Sequence, residues 1–371
     1  MKKVLFTSVL DSFMMLFNLP LLKYFKEQGY EVHVATSGDD SIPYCDKKFK
    51  ISLERNPFKV NNLKAIKQLK KIIDSEHYDI IHTHTPMGSA VTRLAAKEAR
   101  KNGTRVIYTA HGFHFFTGAP LVNWLVYYPV EKYLSKYTDT LITINMEDYE
   151  RAKAKFKKCK DIQYVPGVGI DEDKFNFEMT DEEKHELRSS LGIKDDDFVM
   201  IYPAELSKRK RQIWLLNSIG KTLKENKNMH IILPGKDSLN GQCQELAKEI
   251  GIEEQVHCLG FRNDIPKLLK ISNIAVSSSS QEGLPVNIME DLYIGLPIVA
   301  TDCRGNRDLI KNNYNGFLTG IENQNEFNDS ILKLYNNKEL NEKFVKNGYE
   351  VIKDYYLDKI IPKMETIYGG K

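Results

Sequence analysis

Short apolar runs alternate with amphipathic segments along the whole chain of 371 residues, and this alternation restricts the fold more than any other feature. The runs read as nearly continuous apolar strings, which is the pattern of strands buried on both faces. The segments between them carry helical spacing, as at Leu63, Ile66 and Leu69. This alternation favours an α/β protein with parallel sheets covered by helices. Strands are predicted at residues 4–9, 31–36, 79–83, 105–110, 140–144, 163–165, 199–203, 230–233, 256–259, 274–277, 298–300 and 317–319.

The alternation occurs twice, with a break at residues 166–183 where the strand pattern lapses. Thr180 then predicts the N-cap of a helix, and Glu183 completes a capping box. We therefore expect two Rossmann-like, doubly wound domains facing a central cleft, one over residues 1–165 and the other over 166–355. A last helix, over about 356–371, can return to the first domain. Because ligands of open α/β sheets bind beyond the carboxyl ends of the strands, the cleft is the expected site.

Composition and cysteine content narrow the class of protein. A chain with 42% hydrophobic and 28% charged residues is neither disordered nor collagen-like. The five cysteines are scattered and form no C-x-x-C pair, so we expect free thiols in a reducing cytosol. Residues 1–13 superficially resemble a signal peptide, but Asp11 interrupts the apolar run, which favours a first buried strand. The chain has no run of about 18 uncharged apolar residues that would predict a membrane span.

The net charge of +3 conceals two halves of opposite sign. Residues 1–165 hold 26 basic and 17 acidic side chains, while the remainder holds 27 and 33. The basic half also contains two aromatic-rich stretches, residues 12–25 and 114–137. In the second stretch, a helix at a lipid interface would use Trp124, Leu125, Tyr127 and Tyr128, with Lys132 and Lys136 nearby.

Ordinary packing of that helix against the sheet is the alternative, and for any single residue it is the favoured one. The aromatic residues cluster with aliphatic ones rather than alternating with Lys and Arg, so an anionic membrane surface is a better expected partner than nucleic acid.

The segment 277–310 carries the most chemical information, because it reads as strand, loop, helix, strand, loop and helix. Glu282 lies in the first loop, Pro285 is expected in the first turn of the helix, and Glu290 follows more than one turn later. Free N–H groups at a helix N-terminus seat a phosphate, and Gly283 allows close approach to the backbone. Glu290 can accept two ribose hydroxyls and Glu282 a sugar hydroxyl. The segment therefore predicts a ligand with a diphosphate between two sugars.

These residues resemble the signature of the family-4 glycosyltransferases of the GT-B fold. Glu282-Gly283-Leu284-Pro285 and Glu290 match Glu-Gly-(Phe/Leu)-Pro-x-x-x-x-Glu, and residues 295–301 match Gly-x-Pro-Val-Val-Ala-Thr. The resemblance covers nearly the whole chain. It implies a retaining enzyme with a UDP-sugar donor bound by the second domain and a saccharide acceptor, linked to polyprenyl diphosphate, on the first. It also implies donor contacts by Gly283, Leu284, Pro285 and Glu290.

Residues 202–216 lie where the family has Gly-Arg-Leu-x-x-x-Lys-Gly, a loop that holds the donor diphosphate. Lys210 aligns with the family lysine, but Glu205 stands in place of the family arginine. Lys208, Arg209 and Arg211 are candidate replacements, with a solvated helix start as the alternative for each. The Ala-Glu-Leu variant resembles the branch that builds bacterial capsule and exopolysaccharide.

Two further segments agree with the resemblance. Residues 259–269 resemble the loop that cups the nucleotide base, with Gly260, Phe261 and Arg262 as candidates, although Phe261 is equally suited to a core. Residues 108–116 match the family's Thr-x-His-Gly and place His111 and Gly112 near the transferred sugar. His84 ends another predicted strand and is either structural or on the acceptor side. The resemblance thus implies catalytic roles for His111, Lys210 and Glu282.

No metal or cofactor is expected. The triplets 171–173 and 195–197 satisfy D-x-D, but both lie in polar turns where Asp is favoured. A basic loop and a helix N-terminus can neutralise a departing diphosphate without a metal. Neither a G-x-G-x-x-G after the first strand nor a P-loop occurs, which disfavours a dehydrogenase or an ATPase.

The expected protein is a glycosyltransferase on the cytoplasmic face of the plasma membrane. Two alternatives stay open. One is a nucleotide-sugar 2-epimerase of the same fold, which would consume donor without an acceptor. The other is a degenerate glycosyltransferase-like binding protein, which the charge reversal at Glu205 leaves possible.

Overall fold

The computed structural model describes residues 1–369, which divide into two compact α/β units. Unit 1 contains residues 1–168 and the C-terminal segment from Asp358, and unit 2 contains Gly169–Leu357. The α/β class with two parallel sheets is therefore confirmed. The division after Val168 falls within the stretch where the strand pattern of the sequence lapses.

Unit 1 is built on a sheet of seven parallel strands in the order β3-β2-β1-β4-β5-β6-β7. The strands are β1 (Lys3–Thr7), β2 (Glu31–Thr36), β3 (Lys47–Lys50), β4 (Ile80–His84), β5 (Arg105–Ala110), β6 (Thr140–Thr143) and β7 (Asp161–Tyr164). Six of these lie where the sequence predicts strands, whereas β3 was missed. Its sequence, KKFK, is not an apolar string because β3 lies at the edge of the sheet and stays partly exposed.

Helices cover both faces of this sheet. One face packs Leu5 and Ile81 against helical residues such as Leu69, and the other packs Phe6 and Val34 against Leu22. The helices before the domain division are α1 (Asp11–Phe17), α2 (Leu19–Glu27), α3 (Asn61–Glu76), α4 (Pro86–Ala95), α5 (Lys97–Lys101), α6 (Leu121–Leu134) and α7 (Met146–Lys155).

Unit 2 repeats this plan with six parallel strands in the order β10-β9-β8-β11-β12-β13. Its strands, all predicted, are β8 (Phe198–Ile201), β9 (Met229–Pro234), β10 (Val256–Gly260), β11 (Ile274–Ser277), β12 (Ile298–Thr301) and β13 (Gly316–Thr319). Its helices are α8 (Asp181–Ser190), α9 (Gln212–Glu225), α10 (Gln242–Glu249), α11 (Ile265–Lys270), α12 (Val286–Ile294), α13 (Asn306–Leu309), α14 (Gln324–Tyr335) and α15 (Lys338–Ile352).

The predicted capping box at the start of α8 is present. The Thr180 hydroxyl accepts from the Glu183 N–H at 3.1 Å, and the Glu183 carboxylate accepts from the Thr180 N–H at 2.8 Å. Two backbone donors that a helix start leaves without partners are satisfied in this way.

The final helix, α16 (Leu357–Gly369), belongs to the core of unit 1. Ile360, Met364 and Ile367 are buried there, and the Tyr368 hydroxyl lies 2.8 Å from Nδ1 of His82 on β4. The end of the chain is therefore a structural part of the first unit.

Within each sheet, the direction in which successive strands are added reverses once, and this position is called the switch point. In unit 1 the chain runs from β1 outward to β3 and then crosses to β4 on the other side of β1; in unit 2 it does the same at β8 and β11. The loops that leave neighbouring strands in opposite directions open a crevice at the carboxyl edge, where such sheets bind ligands. His84, His111, Lys210 and Glu282 all lie at such edges.

In unit 1, a buried ion pair beside the sheet links α4 to α6. Arg93 donates to Glu131 at 2.8 Å, and both side chains are buried. The Arg93 guanidinium also lies 4.4 Å above the ring of Tyr108 on β5. Two helices and a strand are therefore held together by groups that water does not reach.

Replacing Glu131 by Ala should lower the free energy of unfolding by about 3 kcal/mol or more, because an unpaired guanidinium would remain buried. Equilibrium urea unfolding of the whole chain measures the change. Asp74→Ala is the matched control, since it removes an exposed pair with Lys70 on α3 and should cost about 0.5 kcal/mol or less. Equal losses in the two variants would contradict the assignment.

Candidate active site

Lys210 and Glu282 meet at the switch point of unit 2. Lys210 lies in the loop between β8 and α9, and Glu282 lies in the loop between β11 and α12. The Lys210 Nζ is 2.6 Å from Glu282 Oε1, and the two residues are only 8% and 7% exposed. Two residues that the sequence assigns to a common site, 72 positions apart, are thus in direct contact.

Hydroxyl groups fasten the two loops to each other. Ser279 donates to Glu282 Oε1 at 2.5 Å and lies 2.9 Å from the hydroxyl of Tyr202. Ser278 donates to the Lys210 carbonyl at 2.8 Å, and Tyr202 donates to the same carbonyl at 3.2 Å. The sequence did not single out these supporting residues for a role, although the run Ser277–Ser280, which ends two residues before Glu282, was a visible signal.

Burial by itself disfavours the charge on Lys210 and on Glu282, but the two charges stabilise each other. The Glu282 carboxylate outweighs burial and raises the pKa of Lys210. Burial would raise the pKa of Glu282, but Lys210 and Arg209 outweigh it and hold this pKa below its ordinary value. Both groups therefore remain ionised at neutral pH.

Arg209 supplies a second positive charge at this point. Its guanidinium lies 3.1 Å from Glu282 Oε2 and donates to the Gln281 carbonyl at 2.8 Å. Glu205, which occupies the position of the family arginine, instead accepts from Ser238 at 2.5 Å. Of the three candidate replacements, Arg209 is the one that the structure brings beside Lys210.

Arg211 points elsewhere. Its backbone is left-handed, with φ of 61°, at the position where the family pattern has Gly. Its side chain donates to the Ile321 carbonyl at 2.8 Å and pairs with Glu322 at 2.6 Å. Lys208 is exposed in the same loop.

The N-terminus of α12 adjoins Glu282. Pro285 is the N-cap residue rather than part of the first turn, so the predicted position is wrong by one residue. Within residues 1–369 no side chain caps this end of the helix, so its first N–H groups have no side-chain acceptor in that part of the chain. A Cβ on Gly305 would come within 2.6 Å of the Gly283 carbonyl, so only Gly fits beside this loop.

Glu290 lies on α12 and is half-buried. Among residues 1–369 it has no hydrogen-bond or ion-pair partner, and burial raises its pKa to about 7 while Lys174 opposes the rise. The neighbouring Asp291 is fully buried, and neither of its carboxyl oxygens has a partner in this part of the chain. Burial, with the neighbouring Glu290 adding to it, raises the pKa of Asp291 well above its ordinary value.

The predicted base-binding loop follows β10. Gly260 has a φ of 64°, and Phe261 is 76% exposed, which settles the choice between a core and a surface position. Arg262 is held by Asp264 through two contacts, at 2.7 and 2.5 Å. An exposed aromatic ring beside a fixed guanidinium can stack with a planar base.

His84 and His111 come together at the carboxyl edge of the sheet of unit 1, at the ends of the neighbouring strands β4 and β5. Nδ1 of His84 lies 3.1 Å from Nε2 of His111, and Phe13 packs edge-on against the His111 ring. His84 is buried at the end of β4, while His111 follows β5 and is partly exposed beside Gly112, whose φ is 123°.

Burial keeps these histidines neutral. It lowers the pKa of His111 to about 4 and that of His84 well below its ordinary value, with neighbouring histidines adding to the effect on His84. A neutral imidazole has one donor and one acceptor nitrogen. This pair is therefore suited to directional hydrogen bonding rather than to carrying charge.

The two acidic triplets make local contacts. Asp171 lies 3.6 Å from Lys174, and Asp195 pairs with His185 at 2.8 Å. Asp197 accepts from the Lys194 N–H at 2.8 Å, as an Asp in a turn does. Within residues 1–369, one group has ligand atoms close enough together to share a metal ion, namely Glu31, His33 and Glu76. Its two acidic members already pair with lysines, Glu31 with Lys3 and Glu76 with Lys47.

The aromatic residues of α6 pack inward, which is the alternative that the sequence favours for each of them singly. Trp124, Tyr127 and Tyr128 pack against the buried core around Phe113 and Phe115 instead of facing outward. Leu125 is 67% exposed as predicted, and Leu121 and Val122 share its exposure. Within residues 1–369, no helix combines the length and apolar character needed to span a bilayer.

Sequence comparisons identify the family. The model described as "Glycosyl transferases group 1" matches residues 183–351, and "Glycosyl transferase 4-like" matches residues 3–145. The Bacillus subtilis protein named "Putative glycosyltransferase EpsD" is 41% identical over 369 residues, covering 100% of this chain and 97% of that protein. The Escherichia coli UDP-Gal:alpha-D-GlcNAc-diphosphoundecaprenol alpha-1,3-galactosyltransferase is 28% identical, with 88% and 86% covered.

Solved structures show the same fold. The Anabaena HepE protein in complex with UDP and glucose superposes with a TM-score of 0.80 at 19% identity, with both chains fully covered. Twin parallel α/β units with polar clusters at the switch points define a GT-B protein. The chain belongs to the family-4 glycosyltransferases, and it is a glycosyltransferase.

Proposed function

We propose that this enzyme transfers a sugar from a UDP-sugar to a saccharide carried on polyprenyl diphosphate, with retention of configuration, during capsule or exopolysaccharide assembly. The observation that carries the proposal is the contact of the buried Lys210 and the exposed Arg209 with Glu282, beside the N-terminus of α12. Two cations that share one carboxylate leave a net positive charge, and together with the N–H groups of the helix N-terminus they form a seat for a diphosphate.

The relatives support the choice of substrates. The name of the Escherichia coli relative specifies UDP-Gal and a diphosphoundecaprenol-linked acceptor. A Campylobacter jejuni relative, 26% identical over 370 residues, is an alpha-1,3-N-acetylgalactosaminyltransferase whose name specifies diphospho-undecaprenol. Both names specify an alpha linkage, and a donor that holds its sugar in the α configuration gives an α product only with retention.

The arrangement of Glu282 favours a direct same-face displacement. Lys210 and Ser279 engage one oxygen of its carboxylate, and Arg209 engages the other, so the group is not a free nucleophile. The bond from the sugar carbon to the donor phosphate breaks, the acceptor oxygen bonds to that carbon, and the leaving phosphate takes the hydroxyl proton. Lys210 and the α12 N-terminus stabilise the charge on the leaving diphosphate, Glu290 holds the ribose, and Glu282 and His111 orient the sugar.

Lys210→Ala should reduce kcat by roughly two to three orders of magnitude, the scale of losing one preorganised charge-stabilising group. Release of UDP from UDP-sugar in the presence of acceptor lipid measures the rate. Lys208→Ala is the matched control, since this neighbouring lysine is exposed, and it should stay within about twofold of the parent chain.

Near-normal activity of Lys210→Ala would contradict the assignment of Lys210 to the donor diphosphate.

The same assay with excess EDTA tests whether these cations suffice without a metal, and loss of activity on chelation would contradict that part of the proposal. Consumption of donor in the absence of any acceptor would instead identify an epimerase.

Affinity for UDP-glucose should rise between pH 6 and pH 8 because of Glu290. Its pKa of about 7 means that the carboxylate, the better acceptor of two ribose hydroxyls, forms as the pH increases through that value. Below the pKa the affinity should change by at most about tenfold per pH unit. Calorimetric titration measures the slope, and Glu290→Gln should be nearly flat. An equal slope in this variant would place the titrating group elsewhere.

The exposed side of α6 is the proposed contact with an anionic membrane on the cytoplasmic side. Leu121, Val122 and Leu125 are exposed together, and Lys132 and Lys136 follow on the same helix and just beyond it. Apolar residues next to lysines favour reversible attachment to an anionic leaflet. The positive charge of residues 1–165 supports the same assignment.

The combined change Leu125→Ser, Lys132→Gln and Lys136→Gln should weaken binding to phosphatidylglycerol vesicles by roughly tenfold or more, because each lysine near the surface contributes up to about 1 kcal/mol. Vesicle sedimentation measures the binding. Lys221→Gln with Lys338→Gln, which neutralises two fully exposed lysines of unit 2, should leave it unchanged. Equal losses would show a general charge effect rather than a surface on α6.

A further inference from the structure

A small cavity lies directly behind the histidine pair of unit 1. Its volume is about 20 Å³, which is room for one water molecule. Apolar side chains form most of its wall, including Ile142, Val165 and Met364. Its polar lining comes from Asn18, His84, Thr109 and His111.

Two of these polar residues have atoms without partners. Asn18, at the junction of α1 and α2, is 1% exposed, and within residues 1–369 neither its Oδ1 nor its Nδ2 has a hydrogen-bond partner. The same holds for Nε2 of His84. Thr109 is engaged by Nε2 of His82 at 2.8 Å. A buried polar atom left without a partner costs about 1–3 kcal/mol, so Asn18 and His84 are natural partners, directly or through one water.

The contact between His84 and His111 couples the proton positions of the two imidazole rings. Each imidazole is neutral and carries one N–H, and Nδ1 of His84 faces Nε2 of His111 at 3.1 Å. One of these nitrogens must donate and the other must accept. Both rings therefore carry their proton on Nδ1, or both carry it on Nε2.

The group that meets Nε2 of His84 decides between these two states. A donor at that position leaves Nε2 bare and puts the protons on Nδ1 of both rings, while an acceptor puts them on Nε2. In the first state Nδ1 of His111 offers an N–H, and in the second it offers a lone pair. A side-chain amide has both a donor and an acceptor, so its orientation selects the state.

We propose that Asn18 is a positioning residue that selects the proton position shared by His84 and His111, acting directly or through one water in this cavity. Asn18 thereby sets whether His111 donates or accepts at the substrate side. The consequence for catalysis rests on the proposed function, in which His111 orients the transferred sugar, whereas the link between Asn18 and the histidines does not.

Nitrogen-15 NMR of the full chain labelled at its nine histidines tests the link, because the two nitrogen shifts of a neutral imidazole report which one carries the proton. Substitution of His84 and His111 by Gln assigns their signals. In the parent chain both should show the same single protonated position. Different positions in the two rings would overturn the proposal without any Asn18 variant.

Asn18→Leu keeps the side chain's size but removes both polar atoms, and it should replace the single state by a mixture of the two. Asn18→Ser keeps a polar group in the form of a hydroxyl, so in this variant the two rings should again show a single proton position. Asn62→Leu is the matched control, since Asn62 is buried in the same unit but bonds to the backbone of Glu54 and Asn56. Histidine signals that stay unchanged in Asn18→Leu would overturn the proposal.

Kinetics separate this inference from the proposed function. Asn18→Leu should lower kcat by roughly tenfold, part of the contribution of an oriented catalytic hydrogen bond, while KM for the UDP-sugar stays within about twofold. Changed histidine protonation with unchanged kcat would support the link and instead refute the role of His111 at the sugar.

Discussion

The buried ion pair between Lys210 and Glu282 is the interaction on which the polar cluster of unit 2 depends. Removing two charges from water costs several kcal/mol per ion, and apolar side chains of the same size are often at least as stabilising. The pair is therefore poorly explained as a device for stability alone. Its effect is to hold an ionised amine at one position on the carboxyl edge, with Ser279 and Arg209 satisfying the carboxylate that holds it. The strand order determines where this cluster lies, and the ion pair keeps the Lys210 amine charged there.

The two units share a topology, but the side chains at their carboxyl edges differ in charge. In unit 2 the loops after β8 and β11 bring ionised groups together, which suits a ligand that gains charge on a diphosphate. In unit 1, β4 ends in an imidazole and a second imidazole directly follows β5, and burial keeps both uncharged. Uncharged imidazoles can orient hydroxyl groups without attracting phosphate, so the polar clusters of the two units differ in the chemistry that they favour.

The sequence predicted what strong local patterns encode. Buried parallel strands leave continuous apolar strings, so twelve strands could be located, but β3 lies at the edge of its sheet and its KKFK sequence carries no such string. The motif around Glu282 and Glu290 predicted the loop after β11 and the helix α12, because the spacing of residues on a loop and a helix is local. The burial of Trp124 depends on which neighbours α6 meets, and the unpartnered amide of Asn18 depends on an enclosing wall from distant segments. Neither is a property of a single stretch of sequence.

The charge reversal at Glu205 shows why the position of a charge matters more than its alignment. Read from the sequence, a glutamate in place of the family arginine argues against a diphosphate site. In the structure Glu205 turns toward Ser238, while Arg209, four residues later, reaches Glu282 from the same loop as Lys210. The left-handed backbone at Arg211 follows directly and turns the chain into α9. A long, flexible arginine can supply a cation to a given point from several places in a loop, so the local cation count can be preserved even where the aligned residue changes sign.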